Sequence, residues 1–144
     1  WMLLEDEEIP ADHAEARRWA ERAAAQGVAA SMTRLGMLHH NALGVPRDPE
    51  AAAFWWRLGA ERGDPDGQAM LGAAQLLGNG VARDPLAALA WLLRAEASGS
   101  ALAGRFLPAA RAALDHDALH EAARRAAEPL PHPGPLPALP GARA

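Results

Sequence analysis

Few side chains in this sequence could do covalent chemistry, and they form no recognisable catalytic set. The 144 residues include no Cys and no Tyr, and all 14 basic residues are Arg. Thiol nucleophiles, lysine Schiff bases and phenolic acids are therefore excluded. No elbow motif frames Ser31, Ser98 or Ser100, and such a motif is what presents a catalytic serine. We expect no catalytic residues and no enzymatic activity.

The spacing closest to that of a metal site belongs to His116 and His120, which stand four residues apart beside Asp117. This spacing places two imidazoles on one helix face. Zinc takes three or four ligands, however, and no Cys or third His lies nearby in the sequence. The adjacent His39 and His40 point to different faces of a helix, so they form no better pair.

Two loop segments have the composition of ligand sites but not the context. The acidic run Glu5 to Glu8 has charge for calcium, but its place in the chain predicts a solvated turn between helices. The segment GNGVAR at residues 78–83 lacks the third Gly of a nucleotide fingerprint and follows a predicted helix rather than a strand. We therefore predict no metal site and no cofactor.

Composition predicts a helical protein without a nucleic-acid or membrane partner. Half of the residues are apolar, mostly Ala, and the aromatic residues are Trp and Phe only, which favours closely packed helices. The net charge of −4 provides no basic field for nucleic acid or anionic lipid. No run approaches the ~18 apolar residues of a membrane span.

A period of 36 residues runs through most of the chain. It is marked by three tryptophans, Trp19, Trp55 and Trp91. The same register relates other triplets, namely Gly27, Gly63 and Gly99, then Asp12, Asp48 and Asp84, and finally Ala16, Ala52 and Ala88. A period of this length is the signature of stacked supersecondary units. Such an array is expected to bind rather than to catalyse.

Each repeat predicts a pair of antiparallel helices. In the second half of a unit, Ala52, Trp55 and Trp56 fall at i, i+3 and i+4, which is an apolar helical stripe. This helix should begin at the Asp of the register as an N-cap and end at the Gly. The tryptophan row is predicted to lie in the core. A shorter helix precedes it, at about Ala29 to His40 and Pro65 to Leu77.

Two glycines lie inside these shorter helices, Gly36 and Gly72. Gly inside a helix costs about 0.5 to 1 kcal/mol relative to Ala. Its recurrence predicts that a neighbouring helix packs against bare backbone there, with the Trp rings as neighbours. In the turns NALGVPRD and LGNGVARD, Val45 and Val81 are expected to enter the core.

These features resemble the Sel-one-like repeat, a relative of the tetratricopeptide repeat with a longer unit. The matching residues are Leu71, Gly72, Gly78, Gly80, Val81, Asp84, Trp91 and Gly99 in one unit, and Leu35, Gly36, Gly44, Val45, Pro46, Asp48, Trp55, Trp56 and Gly63 in the unit before it. The family's usual Tyr is replaced by His39, Gln75 and Arg111. The resemblance covers about Trp1 to Phe106 and implies an all-α fold, a right-handed superhelical array of antiparallel helix pairs.

The register predicts an array at residues 1–128 and a tail at 129–144. The array comprises a truncated unit at 1–27, units at 28–63 and 64–99, and a degenerate capping unit at 100–128. In the capping unit Pro108 should break or bend the first helix near Phe106, and a last helix should run from Asp117 to Glu128 with a polar face. The Pro-rich tail is predicted to be disordered or polyproline-like.

The resemblance implies a scaffold that binds a protein or peptide on its concave face, which the first helix of each pair lines. Removing the core positions leaves a candidate set of Thr33, Arg34, Met37, His40, Asn41, Ala69, Met70, Ala73, Leu77, Arg105 and Phe106. Met suits adaptable surfaces, and Arg is favoured at interface hot spots.

Two other functions remain open. The array could be a structural spacer or the C-terminal segment of a larger protein whose activity lies upstream. This fits with Trp1, which falls in the middle of a repeat. An enzymatic role would follow Cys-rich secreted relatives associated with β-lactam chemistry, and the lack of Cys argues against it. The compartment and the oligomeric state are left open.

Overall fold

The computed structural model describes residues 2–42, 47–137 and 139, with side chains from residue 14 onward. All regular structure in this part of the chain is helical. The helices are α1 (Met2–Ala25), α2 (Ala29–Asn41), α3 (Pro49–Glu61), α4 (Pro65–Leu77), α5 (Pro85–Ala97), α6 (Ala103–Ala112) and α7 (His116–Ala127). Successive helices pack against each other, and the protein is an α-solenoid of helix pairs, as the sequence predicts.

The second helix of each complete unit begins and ends as the register predicts. The Asp48 carboxylate accepts a hydrogen bond from the Ala51 N–H at 3.1 Å, and Asp84 caps α5 in the same way. Glycines with positive φ follow both helices, at +90° for Gly63 and +95° for Gly99. Short-range chemistry therefore sets the bounds of α3 and α5.

Helix α1 differs from the prediction. Because α1 runs unbroken from Met2, both the predicted turn at Glu5–Glu8 and the predicted helix start at Asp12 are wrong. The register places Glu8 where the later turn has Gly80, which takes a φ of +81°. A chain without a residue that adopts positive φ at low cost stays helical instead of turning.

The tryptophan row is not uniformly buried. Trp55 is 2% exposed and belongs to a cluster with Ala20 and Ala24 of the preceding helix α1. Trp91 is half-buried, whereas Trp19 is 62% exposed, so the core prediction is wrong for Trp19. Trp55 packs against α1, which is the second helix of the preceding unit. Trp19 lies on α1 itself and has no such neighbour, because no described helix precedes α1.

Helices approach each other closely at the two helical glycines. A Cβ added at Gly36 would overlap with the indole of Trp56. A Cβ added at Gly72 would lie 2.8 Å from Leu92 Cγ and 3.0 Å from the Ala88 carbonyl oxygen. The predicted close packing is confirmed. The neighbouring side chain, however, is that of Trp56 or Leu92. Each of these residues directly follows a Trp of the 36-residue register, and only one of the two is itself a Trp.

The turn between α4 and α5 also packs against the repeat before it. A Cβ at Gly80 would overlap with the carbonyl of Pro49, at the first turn of α3. Val81 lies against the cluster that contains Trp56, as predicted. The equivalent Val45 lies outside the described residues.

The capping unit keeps both of its helices. Helix α6 continues through Pro108, so the predicted break is wrong, and the alternative of a bend near Phe106 stays a prediction. Pro108 removes the hydrogen bond to the carbonyl of Gly104, and Gly104 is exposed, so water can solvate that carbonyl. The N-cap of α7 is Asp115, whose carboxylate accepts from the Ala118 N–H at 2.8 Å.

The last helix carries the predicted polar face. Arg124 donates to Glu121 at 2.7 Å, and Arg125 donates to the same carboxylate at 2.9 Å. The hydrogen bonds from Arg124 and Arg125 lower the pKa of Glu121 to about 2. After α7, residues 129–137 contain neither helix nor strand.

Trp55→Ala tests the role of the buried tryptophan. We expect the free energy of unfolding to fall by about 3 to 5 kcal/mol, because the substitution leaves a cavity between α1, α2 and α3. The matched control is Trp19→Ala, which should change it by less than about 0.5 kcal/mol because that ring is exposed. Urea unfolding followed by circular dichroism measures both. Equal losses would contradict the packing described above.

Gly36→Ala tests the close approach of α2 and α3. The added methyl must displace the indole of Trp56, and such overpacking should cost about 1 to 3 kcal/mol. Gly104→Ala is the control, because no atom lies within 4 Å of a Cβ added there. That substitution should stabilise the protein by about 0.4 to 1 kcal/mol. The prediction fails if both variants melt above the parent.

Candidate binding face

The first helices of the pairs, α2, α4 and α6, line one surface, which we call the inner face. Two cavities of about 360 Å³ and 170 Å³ lie on it and share Met70. Met70 lines both cavities, so they adjoin, and their linings include residues of three successive repeats.

The larger cavity is polar at one side. Its lining consists of Ala30, Thr33, Arg34, Met37, Asp64, Asp66, Met70 and Leu102. Thr33 Oγ1 donates to Asp64 Oδ2 at 2.6 Å, and the Gly67 N–H donates to the same oxygen at 2.8 Å. Asp64 is thus the N-cap of α4 and also ties α4 to α2. Its Oδ1 receives no hydrogen bond from a described residue.

A second carboxylate stands next to it and is more exposed. Asp66 Oδ1 accepts a hydrogen bond from Ser100 Oγ at 2.7 Å, which links α4 to the start of the capping unit. Asp66 Oδ2 and the exposed guanidinium of Arg34 have no partner among the described residues. With two carboxylates against one guanidinium, the cavity favours a ligand that carries a basic group.

The smaller cavity is apolar. Its lining consists of His40, Trp56, Met70, Ala73, Ala74, Leu77, Asn79 and Phe106. Trp56 forms its wall, with the His40 ring centroid 5.5 Å away. Leu77 is 68% exposed at the rim, which is a high value for a large aliphatic side chain. This cavity can therefore take an apolar side chain from a ligand.

Eight of the eleven residues predicted for the binding surface line these cavities. They are Thr33, Arg34, Met37, His40, Met70, Ala73, Leu77 and Phe106. Asn41 and Arg105 are exposed but line neither cavity. Ala69 is fully buried with Ala88 and Ala95 of α5, so we remove it from the surface set. Consecutive residues of a helix point in different directions, so Ala69 faces the core although the next residue, Met70, lies on the inner face.

Sequence reasoning missed the two carboxylates. Asp64 precedes Pro65 just as Asp48 precedes Pro49, so the same signal could have placed it at a helix start. Asp66 could not be found in this way. Its position in the cavity depends on Ser100, which lies 34 residues away in the chain.

Two further observations concern other kinds of site. Among the described residues, no group of three or more His, Asp and Glu side chains is placed to hold a metal ion. His116 and His120 form an edge-to-face pair with ring centroids 4.5 Å apart. No helix in the described ranges is long and apolar enough to cross a membrane.

Asp64→Ala tests the double role of Asp64. The variant loses a helix cap, which costs about 1 kcal/mol, and it also leaves the buried hydroxyl of Thr33 with only its longer hydrogen bond, of 3.4 Å to the Ala29 carbonyl. Asp48→Ala removes a cap alone and is the control. We expect Asp64→Ala to lower the free energy of unfolding by about 1 kcal/mol more than the control, measured in urea. Equal losses would show that the bond from Thr33 contributes nothing.

Comparison with known proteins places this geometry among helical repeat structures. A family model described as the Sel1 repeat matches three consecutive segments, residues 1–28, 29–64 and 65–100. Each matched segment ends one residue after a unit bound drawn from the 36-residue register. None of the proteins with curated descriptions matches the sequence.

Two solved structures are similar to this chain. One is a protective antigen present in uropathogenic Escherichia coli strains that displays an SLR fold, with 30% identity and a TM-score of 0.74 over 79% of this chain. The other is a Sel1 repeat protein from Oxalobacter formigenes, with 34% identity and a TM-score of 0.63 over 67% of this chain. The matches cover 25% and 28% of those two proteins, so this chain spans about a quarter of their length.

Proposed function

Because the chain belongs to the Sel1 repeat family, whose repeats generally mediate protein–protein interaction, we propose that it is a non-enzymatic scaffold that holds a peptide segment of a protein partner on its inner face. The observation that carries the proposal is the pair of adjoining cavities that share Met70. Adjoining cavities that are lined by three successive repeats suit an extended or helical peptide better than a compact small molecule.

The chemistry of the two cavities defines the peptide. The side with Asp64 and Asp66 suits a lysine or arginine side chain, because each carboxylate keeps one oxygen free of described partners. Arg34 can donate to a main-chain carbonyl or a carboxylate of the same peptide. The apolar cavity beside Leu77 suits an aliphatic or aromatic side chain. The expected ligand therefore has one basic and one apolar anchor.

Methionines are suited to the junction of the cavities. Met37 and Met70 are half-buried, and their unbranched side chains adapt to ligands of different shape at low cost. Substituting Met70 should therefore affect both anchors at once, because Met70 lines both cavities.

The arrangement of the hydroxyl groups supports a binding role rather than a catalytic one. Thr33 and Ser100 are buried, and the hydroxyl of each donates a hydrogen bond to a carboxylate. These two hydrogen bonds link neighbouring helices. Among the described residues, no histidine forms a hydrogen bond with either hydroxyl. Neither hydroxyl therefore has the base that would activate it as a nucleophile. The Sel1 repeat family is in general a non-catalytic scaffold family.

Selection from a displayed peptide library on the full chain tests the proposal. We expect selected peptides to contain a basic and an apolar residue. Met70→Arg should weaken their binding by about tenfold or more, because it places a positive charge beside the basic anchor and beside the apolar anchor. Arg57→Glu is the control, since Arg57 is exposed on α3 and lines neither cavity. Fluorescence anisotropy measures the affinities, and circular dichroism confirms that both variants fold.

Asp66→Asn tests the basic anchor separately. The amide oxygen can still accept from Ser100, but the negative charge is gone, so the preference for Lys or Arg over Gln in the peptide should shrink severalfold. If Met70→Arg binds every selected peptide as tightly as the parent, the inner face is not the binding site. If no peptide is selected at all, the structural-spacer function becomes the better account.

A further inference from the structure

The Pro-rich segment after α7 runs back over the outer helices α5 and α3. Leu130 to Pro133 line a cavity of about 290 Å³ together with Glu61, Trp91 and Arg94. Further along, Leu136 and Leu139 pack against the cluster that contains Trp55. The described residues 129–137 and 139, which we call the strap, thus cross from one repeat to the repeat before it. We call the surface beneath the strap the outer face.

Arg94 fixes the point at which the strap leaves α7. Its guanidinium donates to the carbonyl of Arg125 at 2.6 Å and to that of Glu128 at 2.7 Å. The end of a helix leaves such carbonyls without partners inside the helix. The same guanidinium lies over the ring of Trp91, 5.7 Å from its centroid. The Arg94 side chain therefore contacts both the end of α7 and Trp91, which lines the strap cavity.

The sequence of the strap has a regular chemistry. Every odd position from Pro129 to Pro137 is proline, with Leu130 and Leu136 between them. Proline fixes φ and lacks an N–H, so the segments on either side of Gly134 lose little entropy when they bind, and Gly134 itself turns the chain with a φ of +74°. Its carbonyls remain free to accept hydrogen bonds, and Arg62 reaches the carbonyl of Gly134 at 3.5 Å.

The outer face offers what such a segment needs. Trp91 supplies an aromatic surface, the cluster around Trp55 and Phe54 accepts the leucines, and Arg62 donates to a carbonyl of the strap. Proline-rich peptides are recognised in this way, by aromatic-lined grooves that read a preformed extended backbone. None of the residues that line the strap cavity lines a cavity of the inner face, although Trp91 packs against the cluster that contains Trp56.

We propose that the outer face is a second binding site, specific for proline-rich segments with leucine anchors, and that the strap is its own occupant in cis. A proline-rich segment of a partner binds there only by displacing the strap. Because the strap is covalently linked, it competes at an effective concentration of about millimolar. The strap thus sets an affinity threshold for partners of the outer face.

Displacement of the strap tests this proposal on the full chain. In one variant, Leu130→Ser, Leu136→Ser and Leu139→Ser remove the leucine anchors from the strap. The probe is a fluorescein-labelled synthetic peptide with the sequence of residues 129–144. It should bind this variant about tenfold or more tightly than the parent chain, whose site is filled. A peptide with the three leucines replaced by serine should bind neither protein.

Trp91→Ala in the same variant should abolish capture of the probe, while the peptides selected for the inner face still bind. That readout separates the two sites, so failure of one proposal leaves the other standing. Equal affinity of the probe for the parent and the strap variant, or no binding to either, would overturn the proposal.

A second measurement does not depend on the folding of the triple variant. The chain has no Cys, so His132→Cys provides a single position for a nitroxide label. The label should selectively broaden the amide NMR signals of Glu61, Arg62 and Trp91, and an excess of the unlabelled peptide should restore them. Broadening that is absent or spread evenly over the chain would contradict a docked strap.

Discussion

The contact between the Trp56 indole and the bare backbone at Gly36 sets how closely the helices of a pair approach each other. A Cβ at this position would push α2 and α3 apart, and the wall that Trp56 gives to the apolar cavity would move with them. Gly72 and Leu92 repeat the arrangement in the next pair with a smaller side chain. The inner face is therefore a consequence of how the core is packed.

The same packing explains why the sequence predicted some features and not others. Caps such as Asp48 and terminators such as Gly63 act within one turn of helix, so the 36-residue register places them correctly. Whether a tryptophan is buried depends on a helix in the preceding repeat, which Trp55 has and Trp19 lacks among the described residues. A periodic sequence shows which positions are equivalent but not which of them has a neighbour.

The candidate site divides in a similar way. Arg34 and Met70 follow from helical periodicity once the core positions are removed, because they face away from the partner helix. Ala69 lies one residue from Met70, and that single step was enough to place it in the core. The carboxylate of Asp66 lies in the cavity because Ser100 donates a hydrogen bond to it. A hydrogen bond between residues of different repeats cannot be predicted from the local sequence around either residue.

The two faces of the solenoid differ in what they can bind. The inner face combines carboxylates with an apolar cavity, whereas the outer face presents Trp91 and arginine donors under a proline-rich strap. The most direct test of the central claim is a chemical-shift map of the full chain with a selected peptide bound. We predict that the perturbed signals belong to Arg34, Met70 and Leu77 and their neighbours on α2 and α4. Perturbations confined to Glu61, Trp91 and Arg94 of the outer face would contradict binding on the inner face.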